Sequence, residues 1–554
     1  MTPTPITVGD LIAQFLEACG VKVAFGVISL HNMPILDAIH RRQAICFVSA
    51  RGEAGACNMA DAAGRISGAI GVCITSTGTG AGNAAGALVE ALTAGTPLLH
   101  LTGQIESEFI DRDLGYIHEA SGQLAMLAAV SKAAFRIRNP QTALATLREA
   151  VRIAHTPPCG PVSIEIPIDV QGALLDMPAD VTPGGVPLPQ ANRAALDALA
   201  ECLAQAQRPM LWLGGGARGA ADAVQRFVAM GFAVVSSVQG RGIVAEDHPA
   251  TLGAFNVQPA TERLYARIDA LLVVGSRLRS NETLNYKLKL PATRYRIDAN
   301  ALADQRGYSS EIFVQGDASA TLHALADRLE GRLRVDPRLR DDIARTRAHA
   351  QAQVDATLGP YVALKDALGP LVKDRCWWVR DITLSNSIWG NRYPVLADPR
   401  AGIHALGGGI GQGLAMGIGA ALADAAHGLG RKTLVLTGDG GFMLNLGELA
   451  CAVQERANLV VLLMNDRQYG VIRNIQDAVY GGRHCYVDLH NPDFATLSAS
   501  LGLPHWRLSE PALTSQTLAQ AFAVAGPAIV EVDMPAWGPF AAKFAGPPKR
   551  KDAG

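Results

Sequence analysis

The chain has 554 residues, 49 Lys plus Arg against 50 Asp plus Glu for a formal net charge of −1, 49% hydrophobic residues, 18% charged residues and 57 glycines. That length suggests roughly three to four domains of about 150 residues, and the balanced charge leaves no electrostatic footprint for nucleic acid or an anionic membrane. Its nine cysteines are scattered, with no Cys-x-x-Cys pair, so neither a zinc site nor a disulfide framework is indicated. No apolar stretch is long enough to span a bilayer. The start, MTPTPITVGDLIAQFLEACG, reads as a capped amphipathic helix over Thr7–Ala18 rather than a signal peptide. A cytoplasmic protein is the expectation.

In residues 1–178, short apolar runs alternate with helical patterns. Strands are expected at Val23–Val27, Ile45–Ser49, Ala69–Thr75, Pro97–Leu101 and Val162–Ile166, with helices at Glu53–Arg65 and Asn83–Thr93 among others. Alternation at this spacing predicts α/β architecture with a doubly wound parallel sheet. The stretch 178–192, PADVTPGGVPLPQAN, reads as a linker. A second α/β unit follows over 190–330, with strands at Met210–Leu213, Ala233–Ser236, Ala270–Val274 and Arg294–Ile297. Its first strand runs into Gly214-Gly215-Gly216, which lacks the full dinucleotide fingerprint and is better read as a tight turn. A charged, helix-prone segment over 331–360 is expected to cross the surface between domains. The third unit is assigned to 345–536, and 537–554 is a Pro-, Gly- and Lys-rich tail.

The third unit holds the stretch with the clearest chemistry, Thr433 to Gln476. An apolar strand, Thr433–Thr437, ends at Gly438-Asp439-Gly440-Gly441. A helix over Asn445–Arg456 follows, and a second strand, Leu459–Met464, ends at Asn465-Asp466. A right-handed crossover makes the two strands parallel. Asp439 and Asn465 then stand at carboxyl ends of neighbouring strands, where open α/β sheets bind ligands. Side-chain oxygens beside uncovered glycine amides suit a hard cation carrying a diphosphate.

Gly438-Asp439-Gly440, with an asparagine 26 positions after the aspartate, resembles the thiamine diphosphate (ThDP) motif of the acetolactate synthase, pyruvate decarboxylase and benzoylformate decarboxylase family. FGVISLHNMPILDAI (25–39), RGEAGACNMADAAGRISG (51–68), TSTGTGAGNAAGAL (75–88), ALGGGIGQGLAMGIGAALA (405–423) and NPDFATLSASLG (491–502) resemble further family segments in the same order. The resemblance implies three domains: pyrimidine-binding, middle and diphosphate-binding. It also implies a cofactor that spans a subunit interface, so that a homodimer is the minimum unit and a homotetramer is expected.

Site roles follow from the same resemblance. Asp439, Asn465 and the Arg467 carbonyl would ligate Mg²⁺. Gly438, Gly440, Gly441, Ser385, Asn386, Tyr469, Gly470 and Val471 would contact the cofactor. Ile410, among glycines at 407, 408, 409 and 411, would wedge beneath the cofactor's centre, with Gly408 beside it. Glu53 would hydrogen-bond the aminopyrimidine and favour the tautomer that removes the thiazolium C2 proton. As a helix-end charge alone it would contribute only about 0.3–1 kcal/mol. Leu30, Ser76 and Ile472 would face the substrate. His31 and His118 are the side chains there able to exchange protons near neutral pH.

Pyruvate decarboxylases carry acids where this chain has Leu30 and Ile472, and benzoylformate decarboxylases a histidine at or beside Ser76. Neither pattern is met. Acetolactate synthases read Phe-Gln-Glu where this chain has Ile117-His118-Glu119. Arg277-Leu278-Arg279-Ser280-Asn281 likewise departs from their flavin-binding pattern, so FAD or another nucleotide in the middle domain is the disfavoured reading. The expected activity is decarboxylation of a 2-oxo acid, with possible carboligation to an aldehyde or ketone acceptor. The alternatives are an acyl-CoA lyase of the same family and a non-catalytic regulatory protein.

Overall fold

The computed structural model describes residues 5–546. The expected tail therefore lies outside the described residues from 547 onward. Three parallel sheets organise the chain. In the first, β2 (Val23–Gly26), β3 (Cys46–Ser49), β4 (Gly71–Thr75), β5 (Leu98–Gln104), β6 (Ala133–Arg136) and β7 (Pro161–Pro167) lie in the order β3-β2-β4-β5-β7-β6. A small antiparallel pair, β1 (Pro5–Thr7) with β8 (Leu174–Asp176), joins the unit's two ends. The expected N-terminal helix runs Val8–Ala18. Thr7 caps it, its Oγ1 accepting from the Asp10 amide at 3.0 Å while Asp10 accepts from the Thr7 amide at 3.1 Å.

The middle sheet runs β10-β9-β11-β12-β13, with β9 at Pro209–Leu213, β10 at Ala233–Ser236, β11 at Ala270–Val274, β12 at Arg294–Asp298 and β13 at Ile312–Gln315. The third runs β15-β14-β16-β17-β19-β18, from β14 (Cys376–Arg380), β15 (Gly402–His404), β16 (Lys432–Gly438), β17 (Leu459–Asn465), β18 (His505–Leu508) and β19 (Ala528–Asp533). Within it β16 and β17 pair in parallel from Thr433↔Leu459 to Gly438↔Met464, which places Asp439 and Asn465 at one sheet edge as expected.

The helices that position the site are α1 (Glu53–Ser67), α2 (Thr79–Ala94), α3 (Gly413–His427), α4 (Asp439–Leu444), α5 (Glu448–Gln454) and α6 (Gly470–Val479). The helix expected over Asn445–Arg456 is observed as α5, shorter at both ends, and a turn separates it from a further helix, α4, that was not expected. The helix starts at Asp439 itself, and Asn445 breaks it by donating its amide to the Gly411 carbonyl at 2.5 Å. The first and third sheets share one apolar core, which includes Met59 and Leu88 on one side and Met416 and Ile418 on the other. This is possible because α1 and α3 are built from small residues; a Cβ on Gly419 would fall 2.2 Å from the Met59 carbonyl oxygen. The middle sheet has apolar clusters of its own. The charged helix Arg338–Asp355 bridges the two regions. Leu339 and Ile343 enter a middle-domain cluster, and Ala350 and Val354 enter the shared core.

The triple glycine behaves as a packing turn. A Cβ on Gly214 would meet the Gly275 carbonyl oxygen at 2.1 Å, so β9 and β11 can leave the sheet side by side only without side chains there. Among the described residues, no helix is long and apolar enough to cross a membrane.

Candidate active site

A cavity of about 470 Å³ opens at the carboxyl ends of β14, β16 and β17. It is lined by Ser385, Gly408, Ile410, Gly438, Asp439, Gly440, Gly441, Tyr469, Gly470, Val471 and Ile472, together with Ile382, Asp466 and Gln468. Every expected diphosphate-side residue before Asn465 is here except Asn386. That residue is buried behind the wall, its amide 3.5 Å from His404 Nε2. Ser385 Oγ is buried without a partner. An orphaned hydroxyl at a cavity wall is free to donate to an incoming oxygen. The glycines provide clearance: a Cβ on Gly440 would strike the Tyr469 ring at 2.6 Å, and one on Gly470 the Asp466 carboxylate at 2.1 Å.

Asn465 and Arg467 line an adjoining cavity of about 310 Å³ with Asn491. The Asn491 side-chain amide nitrogen donates to Asp439 Oδ2 at 2.6 Å and to Asn465 Oδ1 at 3.2 Å. The two oxygens thus converge on one point, where an N–H-bearing group stands in the place a small cation would take. Arg467 holds a left-handed conformation, φ 56°, directly after this pair, and Asn465 Nδ2 is held by Glu531 at 2.7 Å. Among the described residues, no group of three His, Cys, Asp or Glu side chains could hold a metal. A carboxylate oxygen and an amide oxygen that converge in this way are donors a small hard cation accepts. Burial and repulsion from Asp439 push the Asp466 carboxyl up to about 8, and burial raises Asp439 as well; a cation here would relieve the crowding of two buried carboxylates.

Ile410 is 40% exposed and projects between Gly408 (φ 85°) and Gly411 (φ 87°). The residue that holds this turn, Asp381, was not anticipated. Fully buried at the end of β14, it accepts from the Gly411 amide at 3.1 Å, the Gly413 amide at 3.1 Å and Thr437 Oγ1 at 3.2 Å. Burial pushes its carboxyl up to about 6, against these hydrogen bonds.

Glu53, His31, His118, Ser76 and Leu30 do not line this cavity. They form a separate group in the segments that follow β2, β3, β4 and β5. Glu53 is the first residue of α1, half-buried, and accepts from Asn83 Nδ2 on α2 at 3.0 Å. A Cβ on Gly80 would lie 2.9 Å from Ser76 Cβ and 3.1 Å from Glu53 Oε1, so the serine and the glutamate flank the same glycine. The His31 and His118 rings meet edge-on at 5.1 Å. Buried His31 has an unpartnered Nδ1, and Ser76 an unpartnered Oγ. Burial, then the neighbouring His118, hold His31 below the usual histidine range, with Glu106 opposing. Glu106 is a second residue that sequence reasoning missed, although its place just past the end of β5 marks it for the same sheet edge. Leu30 is 62% exposed and Ile472 48% exposed, on opposite groups.

A further cavity of about 370 Å³ lies between the first and middle units. It gathers Arg218, Arg277, Arg279 and Arg306 opposite Asp298 and Asp317. This basic cluster is assembled from separate segments of the chain. Burial pulls Arg218 down to about 10, and it donates to the Gln239 carbonyl at 2.9 Å.

Comparison with known proteins matches residues 6–129 to the thiamine pyrophosphate enzyme N-terminal TPP-binding domain, 196–325 to the central domain and 384–532 to the C-terminal TPP-binding domain. A probable 2-ketoarginine decarboxylase of Pseudomonas aeruginosa is 33% identical over 90% of this chain and 88% of its own length. A probable acetolactate synthase large subunit of Methanocaldococcus jannaschii is 27% identical over 94% of this chain and 91% of its own. The Escherichia coli acetolactate synthase isozyme 3 large subunit is 27% identical over 92% and 91%.

Proposed function

The chain belongs to the thiamine pyrophosphate enzyme family, and from that premise we propose that it decarboxylates a 2-oxo acid with ThDP and Mg²⁺. The product would be the aldehyde one carbon shorter than the substrate, or the adduct of that carbon unit with an aldehyde or ketone acceptor. The observation that carries the reading is the convergence of Asp439 and Asn465 on Asn491 Nδ2 beside a 470 Å³ cavity lined in part by Ile410. Bound ThDP supplies the carbon nucleophile and the electron sink. Asp439, Asn465 and the Arg467 carbonyl would hold the metal, and Ser385 with the amides at Gly440 and Gly441 would bind the diphosphate. Ile410 would pack against the bound cofactor. Glu53 holds a proton on the pyrimidine ring, and His31 and His118 serve proton transfer at the substrate.

The cavity contains no residue before Ile382, and Glu53 belongs to the other group. A second copy therefore supplies Glu53 to each cavity, in a homodimer at least and a homotetramer by the family pattern. Exposed Leu30, Ile117 and Ile28 on one group and Ile410, Leu444 and Ile472 on the other are apolar surfaces that such pairing would cover.

The substrate is a 2-oxo acid with a long side chain. Leu30, Val471 and Ile472 leave room without the acids of a pyruvate decarboxylase, and Glu106 beside His31 could receive a cationic end, in keeping with the name of the Pseudomonas relative. A panel of pyruvate, a bulky apolar 2-oxo acid and a guanidino 2-oxo acid, with and without aldehyde acceptors, analysed by product mass, tests this. Consumption of none of them by ThDP-loaded protein would refute the catalytic reading and favour the regulatory one. The arginines of the 370 Å³ cavity favour a second reading, an acyl-CoA lyase with a nucleotide held there. Calorimetry with ADP and with coenzyme A decides it, and absence of heat with both removes it.

A further inference from the structure

Glu448 is a buried carboxylate, 2% exposed, on α5 of the C-terminal unit. It has no part in the cavity beside Asp439. Its two oxygens instead reach the N-terminal unit, each accepting from the Arg51 amide at 3.1 Å, with the Gly52 amide as a further donor. A Cβ on Gly55 would fall 2.1 Å from Glu448 Oε1 and one on Gly52 3.9 Å from it. The glycines on either side of Glu53 are therefore the walls of a seat for this carboxylate. The Arg51 side chain closes the seat by donating to Gln454 Oε1 at 2.7 Å. An anion at the start of a 15-residue helix meets amides that have no partner within the helix, and the helix dipole favours it.

The clasp is reciprocal. Glu90, on α2 of the N-terminal unit and 1% exposed, accepts from the Leu406 amide at 2.7 Å and the Gly407 amide at 2.5 Å, and Arg65 Nη2 donates to it at 3.0 Å. That backbone leads directly into Gly408 and Ile410.

Resting on the reading of Glu53 as the carboxylate that activates ThDP, we propose that Glu448 is a positioning residue for Glu53. It fixes the Arg51–Gly52 backbone from which α1 starts, so that the Glu53 carboxylate is presented in one orientation, with Asn83 holding its far end.

Glu448→Gln keeps the volume but turns one acceptor into a donor that faces an N–H. In the cofactor-free variant, amide hydrogen exchange in the peptide spanning 49–55 should rise by about tenfold or more, because the held backbone is released. In the loaded variant, ThDP affinity in the presence of Mg²⁺ should stay within about threefold, while H/D exchange at the ThDP C2 slows by about tenfold or more. Gly55→Ala, which displaces the carboxylate from the other side, should slow C2 exchange likewise, and the double variant should be no slower than the worse single, because both act through one contact. Unchanged C2 exchange in folded Glu448→Gln, or slowing that only parallels lost ThDP affinity and a lowered melting temperature, would overturn the proposal. If Glu53→Gln itself leaves C2 exchange unchanged, the functional reading fails instead. The cofactor-free amide exchange still reports whether Glu448 holds the turn.

Discussion

Glu53 shows how little a single side chain says until its neighbours are known. As the first residue of a helix it interacts favourably with the dipole, an effect worth about 0.3–1 kcal/mol. In the structure it is half-buried, held by Asn83 and flanked by Gly80 and Ser76, a setting suited to one fixed hydrogen bond. Glu53→Gln should therefore leave ThDP binding nearly intact and slow C2 exchange by about 10² or more; NMR-detected exchange at wild-type rate would remove the assigned role. Asp439 acts through charge and direction. Asp439→Ala takes away the only carboxylate of the Asp439–Asn465–Arg467 donor set, and Mg²⁺-dependent ThDP affinity should fall by at least about 100-fold. Calorimetry with Mg²⁺ present checks this, and a chelator should reproduce the loss in wild type and have little further effect in the variant.

Among the elements, glycine-lined helices and carboxylate-held turns have different tasks. Buried carboxylates hold two of the turns: Glu448 the one after β3, and Glu90 with Asp381 the longer one after β15. The helices α1 and α3 join the two cofactor-binding units, and their approach depends on Gly419 lying against Met59. Gly419→Ala puts a methyl 2.2 Å from a carbonyl oxygen, with backbone rather than a flexible side chain to yield. The expected cost is about 1–3 kcal/mol, read as a lower urea midpoint. Loss of ThDP affinity should accompany it only as the fold loosens, and an unchanged midpoint would mean the helices pack less closely than described.

For the whole molecule, pH dependence follows from histidines buried in its sheets. His100, on central strand β5, is hydrogen-bonded to Thr75 Oγ1 at 2.9 Å and Ser163 Oγ at 3.1 Å, and burial pushes it down to about 4. Burial also holds His404 well below the ordinary range. The unfolded chain, with histidines near 6.5, binds more protons than the folded chain between the two values. Stability contributed by neutral His100 is thus fully present above about pH 6.5 and is lost as pH falls toward 4, by up to roughly 3 kcal/mol. Because the raised Asp381 and Asp466 carboxyls act in the opposite sense, the test is a difference: between pH 7 and pH 4.5 the urea midpoint of His100→Gln should move less toward instability than that of wild type. A variant as steep as wild type would assign the acid lability elsewhere.

The sequence by itself determined the α/β class, the three sheets and the family, because these rest on local signals. Apolar runs that end in glycine or Asp and Asn mark strand ends, and Gly438-Asp439-Gly440 with Asn465 needs only two neighbouring strands to converge. It missed β6, β13, β14, β15, β18 and β19: some are short or half-exposed edges, and in β19 acids such as Glu531 and Asp533 interrupt the apolar pattern. Those acids are tolerated because Asn465, His505 and Arg507 pair with them across the sheet. Only the tertiary structure decided that arginines from a helix and from separate loops line one cavity, and that Glu448 holds Arg51 across 397 positions of sequence. A buried carboxylate finds its donors after the domains have packed, and no local pattern announces which amides those will be.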